Sequence, residues 1–202
     1  TLFSLMTGHG VLETARDALF LSRLPAARLP WVYLAMAVAG LGAVWLVRRS
    51  SRPASRQLVT ALGGAAAGTA LLALGARSDA ALVPYVVYVW VGLVATVVSV
   101  LFWQWLGDRF TVEQAKRLFA LIAVGGTLGA IFGPWLASQL AEPLGTPVLL
   151  LFAAGFLLLG TALAWVLVRT LGDRDAVSTQ ATSLVETRHD DEQRIGGSAW
   201  AG

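Results

Sequence analysis

The chain has 202 residues, of which 56% are hydrophobic and only 13% charged; it has no cysteine, a net charge of +3 and a mean hydropathy of +0.69. A soluble domain carries about 25% charged residues, so the composition excludes an ordinary soluble domain, and the lack of cysteine excludes disulfides and thiolate metal sites. The basic balance does not point to nucleic acid, because the arginines lie between apolar runs, where membrane topology puts them.

Apolar runs close to the length that crosses a bilayer as a helix recur along the chain. They are continuous rather than alternating, which argues for helices and against a barrel. Six spans are predicted, at about residues 2–21, 31–47, 57–76, 81–106, 118–140 and 148–168. They form an all-α bundle over residues 1–170. Residues 171–202, opening with "GDRDAVSTQATSLVETRHDDEQR" after Leu171, are expected to be a polar cytoplasmic linker.

The first span is the least apolar. It carries His9, Glu13, Arg16 and Asp17 within an arc of about 100°. Ionisable groups in a membrane are expensive and usually face a bundle interior or an aqueous cavity. This stripe is either a structural network, with Glu13 and Arg16 paired at i,i+3, or part of a substrate or proton path.

The second and third spans are joined by "RRSSRPASR", Arg48 to Arg56. The third is rich in Ala and Gly and carries Gly64 and Gly68. The fourth has two faces. Tyr85, Tyr88, Gly92, Thr96, Ser99 and Trp103 project within about 80° of one another and suit a polar cavity. Val87, Val91, Val94, Val98 and Phe102 lie opposite and are expected to face lipid. Interhelical hydrogen bonding and interfacial aromatics account for the first face equally well.

The fifth span carries Gly125, Gly129 and Gly133 at four-residue spacing, followed by Pro134. In lipid, small residues at this spacing let two helices meet backbone to backbone, either as static packing or as a hinge or sliding contact. Arg109, Lys116 and Arg117 precede this span. Counted over all connections, nine Lys and Arg fall on the side holding both ends of the six-span unit and three on the other. That asymmetry places both ends in the cytoplasm. No H-E-x-x-H, G-x-S-x-G or P-loop pattern is present, so no enzyme, metal site or cofactor is expected. The chain starts at Thr1 inside an apolar segment and stops on "RIGGSAWAG". It is read as a fragment of a longer protein.

Six spans with both ends inside resemble one half of a major facilitator transporter built from two six-helix repeats. Gly129-x-x-x-Gly133-Pro134 resembles the fifth-helix antiporter motif of that superfamily, with Ala137 and Ser138 in place of its final glycine pair. The Asp-Arg loop expected between spans two and three is absent, and an Asp108-Arg109 pair sits between spans four and five. "FWQWLGDRFTVEQAKRLFALIAVGGTLGAIFGP", Phe102 to Pro134, resembles the ATP/ADP translocase branch, the NTP/NDP exchangers of bacteria and plastids. So do "ARDALFLSRL", Ala15 to Leu24, and the terminal "RIGGSAWAG". The resemblance covers most of residues 9–202. It implies a multi-pass protein of the bacterial inner membrane, exchanging nucleotides by alternating access and completed by a C-terminal half. On that reading Arg16 meets phosphate, and Glu13 and Asp17 hold Arg16 when the site is empty. Tyr85, Tyr88 and Trp103 serve the base or a gate, and Lys116 and Arg117 attract anions at the cytoplasmic mouth. Two other functions stay open: a major facilitator for another solute, proton-coupled through His9 and Glu13, and a non-transporting sensor or scaffold.

Overall fold

The computed structural model describes the backbone of residues 1–78, 80–108 and 112–198 and the side chains of residues 1–78, 80–108 and 119–170. The described residues are helical and contain no strand. α1 runs Leu2–Arg23, α2 Leu29–Arg49, α3 Ala54–Gly75 and α4 Val83–Gly107. A further helical stretch, Val112–Ser198, is broken at Gly145 (φ 72°, ψ 167°), with α5 before the break and α6 after it. The break is written in "EPLGTP": Pro143 and Pro147 flank it, each lacking the N–H that a helix interior uses, and the positive φ at Gly145 is one that only glycine adopts at no cost.

The chain divides into two units, residues 1–164 and 165–202. The second is helical through Ser198, including the stretch expected as a linker, and Arg169 lies over the Trp165 ring at 3.8 Å.

Short connectors follow from proline. Pro25 precedes a 3-10 turn, Ala26–Arg28, that feeds α2; Pro53 precedes α3; and Pro84 sits in the first turn of α4, where its missing N–H costs nothing. Among the described residues, four helical segments are long and apolar enough to cross a membrane: Ala26–Arg49, Ala54–Gly75, Val83–Gly107 and Phe119–Thr170. The last has 52 residues. At about 1.5 Å per residue it far exceeds a hydrocarbon core of about 30 Å.

α4 is the axis of the first unit and touches α1, α2 and α3. Its valine face is not turned to lipid as expected. Val87, Val91, Val94, Val98 and Phe102 are all buried, alongside Val11, Leu12 and Ala15 of α1 and Leu62, Ala65 and Ala66 of α3. The physical reason is that lipid tails are as apolar as valine, so apolarity alone cannot tell the inside of a bundle from its outside. Small residues decide instead. Trp90 of α4 lies over Gly68 of α3 and donates its indole N–H to Thr69 at 3.1 Å.

The glycines of α5 meet α1. A methyl added at Gly133 would lie 2.5 Å from the Thr7 carbonyl oxygen, and one at Gly129 would strike the Phe3 carbonyl. Gly10 of α1 answers from the other side, against the Pro134 ring. The third contact in this seam is Gly126, against Leu2, and not Gly125, which faces open space. Farther round α1, Gly8 meets α6 at Phe156, and Ser4 donates to the Phe156 carbonyl at 3.0 Å.

Candidate functional site

The polar stripe of α1 closes on itself. Arg16 Nε donates to Asp17 Oδ1 at 2.9 Å, and its Nη1 lies 3.9 Å from Glu13 Oε1. Glu13 Oε1 is also 3.5 Å from His9 Nε2. The Arg16 guanidinium lies over the Tyr88 ring of α4, 4.2 Å from its centroid. Tyr88 is held in turn: its hydroxyl donates to the Tyr33 hydroxyl of α2 at 2.9 Å, and Phe20 and Tyr33 meet its ring edge-on at 5.1 and 5.6 Å.

Burial separates the charges. Arg16 is 9% exposed, whereas the side chains of Glu13 and Asp17 are 47% and 48% exposed. A guanidinium removed from water needs replacement partners, because an unpaired buried charge costs several kcal/mol. Here two carboxylates and an aromatic face supply them. The cation is inside, and the anions that hold it stand at the edge of open space.

A second locus lies farther along the bundle. A crevice of about 230 Å³ between α1, α4 and α5 is lined on its polar side by Ser99, Trp103 and Thr127. Ser99 also lines a smaller hollow with His9. Trp103 is half exposed and meets Phe102 and Phe119 edge-on. On α4 the crevice begins at Val98, ten residues after Tyr88, so it and the Arg16 cluster are separated by about 15 Å along that helix.

The structure therefore divides the residues expected to share one cavity. His9, Glu13, Arg16, Asp17 and Tyr88 come together, and Ser99 and Trp103 line the crevice. Tyr85 stands at the edge of the first group, edge-on to Phe20 at 6.0 Å, and its hydroxyl accepts from Arg28 at 2.6 Å at the rim. Gly92 and Thr96 pack onto α2 instead of facing open space. Gly92 receives Met36, and Thr96 lies beside Gly40 and donates back to the Gly92 carbonyl at 2.8 Å. The side chains of Lys116 and Arg117, like Arg109, lie outside the described residues.

Tyr33, Phe20 and Thr127 are the partners that sequence reasoning did not name. Tyr33 was visible only as one of several aromatics near the start of α2, and nothing in its spacing pairs it with Tyr88. Among the described residues no cluster of His, Asp and Glu could hold a metal ion.

Residues 82–154, covering α4, α5 and the start of α6, match the family model described as TLC ATP/ADP transporter. No curated protein and no solved structure gives a significant match.

Proposed function

We propose that this multi-pass membrane protein exchanges nucleotides across a bilayer by alternating access. The match to the ATP/ADP transporter family over residues 82–154 carries the reading. It falls on the helix that holds Tyr88 and on the helix that holds the glycine seam with α1. The match favours neither transport of another solute nor a sensor.

The finer picture is a six-crossing half of a twelve-helix, major-facilitator-type exchanger in the bacterial inner membrane, with both ends of the unit cytoplasmic. Its support is the length of Phe119–Thr170 together with the break at Gly145, which makes that segment long enough for two crossings, and the polar stripe that turns α1 into a sixth.

Arg16 is the phosphate-binding cation in this reading. It is the buried cation among the described residues, and it is preorganised by Tyr88. Glu13 and Asp17 neutralise it in the empty site. An arriving phosphate displaces them, and their half-exposed positions let them move toward solvent. Counting one guanidinium against two carboxylates, the empty cluster is net negative and repels an anion until the carboxylates leave. Binding is thereby tied to rearrangement, which is what an obligate exchanger needs. A polyphosphate calls for more than one cation, and the C-terminal half is the source of the others. Trp103, beside its crevice, is the aromatic plane left for the base, since Tyr88 is sealed and Tyr85 is held by Arg28. His9, Ser99 and Thr127 line the route between the two loci. The glycine seam, ending at Pro134, holds α1 and α5 together as one closely packed pair.

The test uses the complete protein in liposomes loaded with ADP, with labelled ATP outside. Uptake is expected to require internal ADP and to fall by about a hundredfold in Arg16→Gln. Uptake indifferent to internal nucleotide removes exchange, and uptake indifferent to Arg16→Gln removes the phosphate assignment.

A further inference from the structure

The connection between α2 and α3 reads "RRSSRPASR", with four arginines in nine residues and no acid. Arg48 and Arg49 end α2, and Arg52 and Arg56 lie before and within the first turn of α3. All four are exposed. Among the described residues none of them is in an ion pair, since the ion pairs found are all on α1. Arg49 instead lies over the Trp45 ring at 4.3 Å, with Trp45 itself exposed.

Next to this cluster is a cavity of different character. A groove of about 300 Å³ runs between α2, α3 and α4, with an almost wholly apolar lining. Ala43 lines it on α2, and Ala61, Gly64 and Ala65 on α3. A methyl added at Gly64 would touch nothing within 4 Å. Val97, Val98 and Trp90 line it on α4, Trp90 being the residue fixed over Gly68.

Register joins the two features. Ala43 is five residues before Arg48 and Ala61 five residues after Arg56. Both helices therefore enter the groove about 7.5 Å from the arginines along their axes. From Val98 to Trp90 the groove follows eight residues of α4, about 12 Å. An unpaired cationic cluster at the end of a membrane helix, with a narrow apolar slot beginning just below it, is complementary to one class of molecule.

We propose that the α2–α3 arginines and the groove between α2, α3 and α4 form one site for an anionic phospholipid, with its phosphate on the guanidinium groups and an acyl chain in the groove. The proposal rests on the membrane reading and is independent of what is transported. Arginines at such a position also set topology. Topology needs only their charge, however, and neither a slot nor saturable binding. The half-buried Trp90 is the end stop of the slot.

The experiment follows retained lipid by native mass spectrometry on the full chain in neutral detergent. Dioleoylphosphatidylglycerol is titrated against dioleoylphosphatidylcholine, which has the same chains and no net charge. The anionic lipid is expected to saturate at one per chain and to be preferred by about fivefold per arginine engaged. Arg52→Gln with Arg56→Gln leaves Arg48 and Arg49 to set topology, and should weaken retention by at least about tenfold. Gly64→Leu keeps every charge, places a side chain in the slot at a position where an added Cβ meets no protein atom within 4 Å, and should weaken retention of the anionic lipid as well; its helical circular dichroism and elution volume report that it is folded. Equal retention of the two lipids overturns the proposal. So does a folded Gly64→Leu that binds like the parent. Displacement of the lipid by inorganic phosphate at equal concentration would mark a simple anion site, and also overturns it.

Discussion

Glycine is used in opposite ways on the two sides of α1 and α4. Between α1 and α5, the closest glycine contacts are to backbone or to a rigid ring: Gly129 and Gly133 face the carbonyls of Phe3 and Thr7, and Gly10 faces the Pro134 ring. Between α4 and its partners α2 and α3, glycines meet large side chains: Gly68 takes the Trp90 ring and Gly92 takes Met36. A backbone contact has no soft degree of freedom, whereas a side-chain contact can turn. The first seam is therefore specified to a fraction of an ångström, while the second tolerates change and even leaves the slot at Gly64. Glycine count does not distinguish these cases; what stands opposite each glycine does.

Substitutions can break that comparison, and the largest effect is expected at the rigid seam. Gly133→Leu places a side chain where the Thr7 carbonyl stands, and should abolish recovery of monodisperse protein in size-exclusion chromatography. Gly125→Leu, eight residues away on the same expected stripe but facing open space, should be recovered at parental yield. Equal loss in both would mean that the seam is not where the structure puts it. Gly92→Ala is milder. Met36 is flexible and can swing aside, so a loss of about 1–2 kcal/mol is expected, read as a modest drop in thermal midpoint. Tyr33→Phe removes the acceptor of the Tyr88 hydroxyl and should cost about 1 kcal/mol by the same measurement. Its more telling readout is exchange rate, because Tyr88 is the floor under Arg16. The smallest effect belongs to Thr7→Val. The Thr7 hydroxyl is buried with no hydrogen-bond partner, so although its backbone lies at the heart of the rigid seam, the change should move the midpoint by no more than about 0.5 kcal/mol.

The helices were legible because twenty-residue apolar runs bounded by proline and arginine leave little choice. Gly145 was hidden only in detail, since "EPLGTP" announces a break without giving its dihedrals. The stripe His9, Glu13, Arg16 and Asp17 was legible too, because four ionisable residues on one face of an apolar helix must meet either water or one another. What could not be read was direction. The valines of α4 and the hydroxyl face opposite them look equally ready for lipid, protein or cavity. The sequence pattern assigned the valines to lipid, and packing buried them. Likewise Gly125 and Gly126 are neighbours in sequence, and only the crossing angle of α1 on α5 selects the second. Pairings across helices, such as Tyr88 with Tyr33 or Trp90 with Thr69, carry no local signal at all.

The separation of charge from apolarity along the chain bears on how the protein is made. α1, which carries Glu13, Arg16 and Asp17, is absent from the segments apolar enough to cross a membrane unaided. Each such residue costs a lone helix about 3 kcal/mol when it sits at the centre of the bilayer; Glu13 and Asp17 offset part of that for Arg16 within α1 itself, and Tyr88 of α4 and the glycine seam of α5 cover the helix from outside. Both partners are synthesised after it. On the six-crossing reading, α1 therefore meets the partners that cover its charges and its glycines only after the later helices of the bundle have been made.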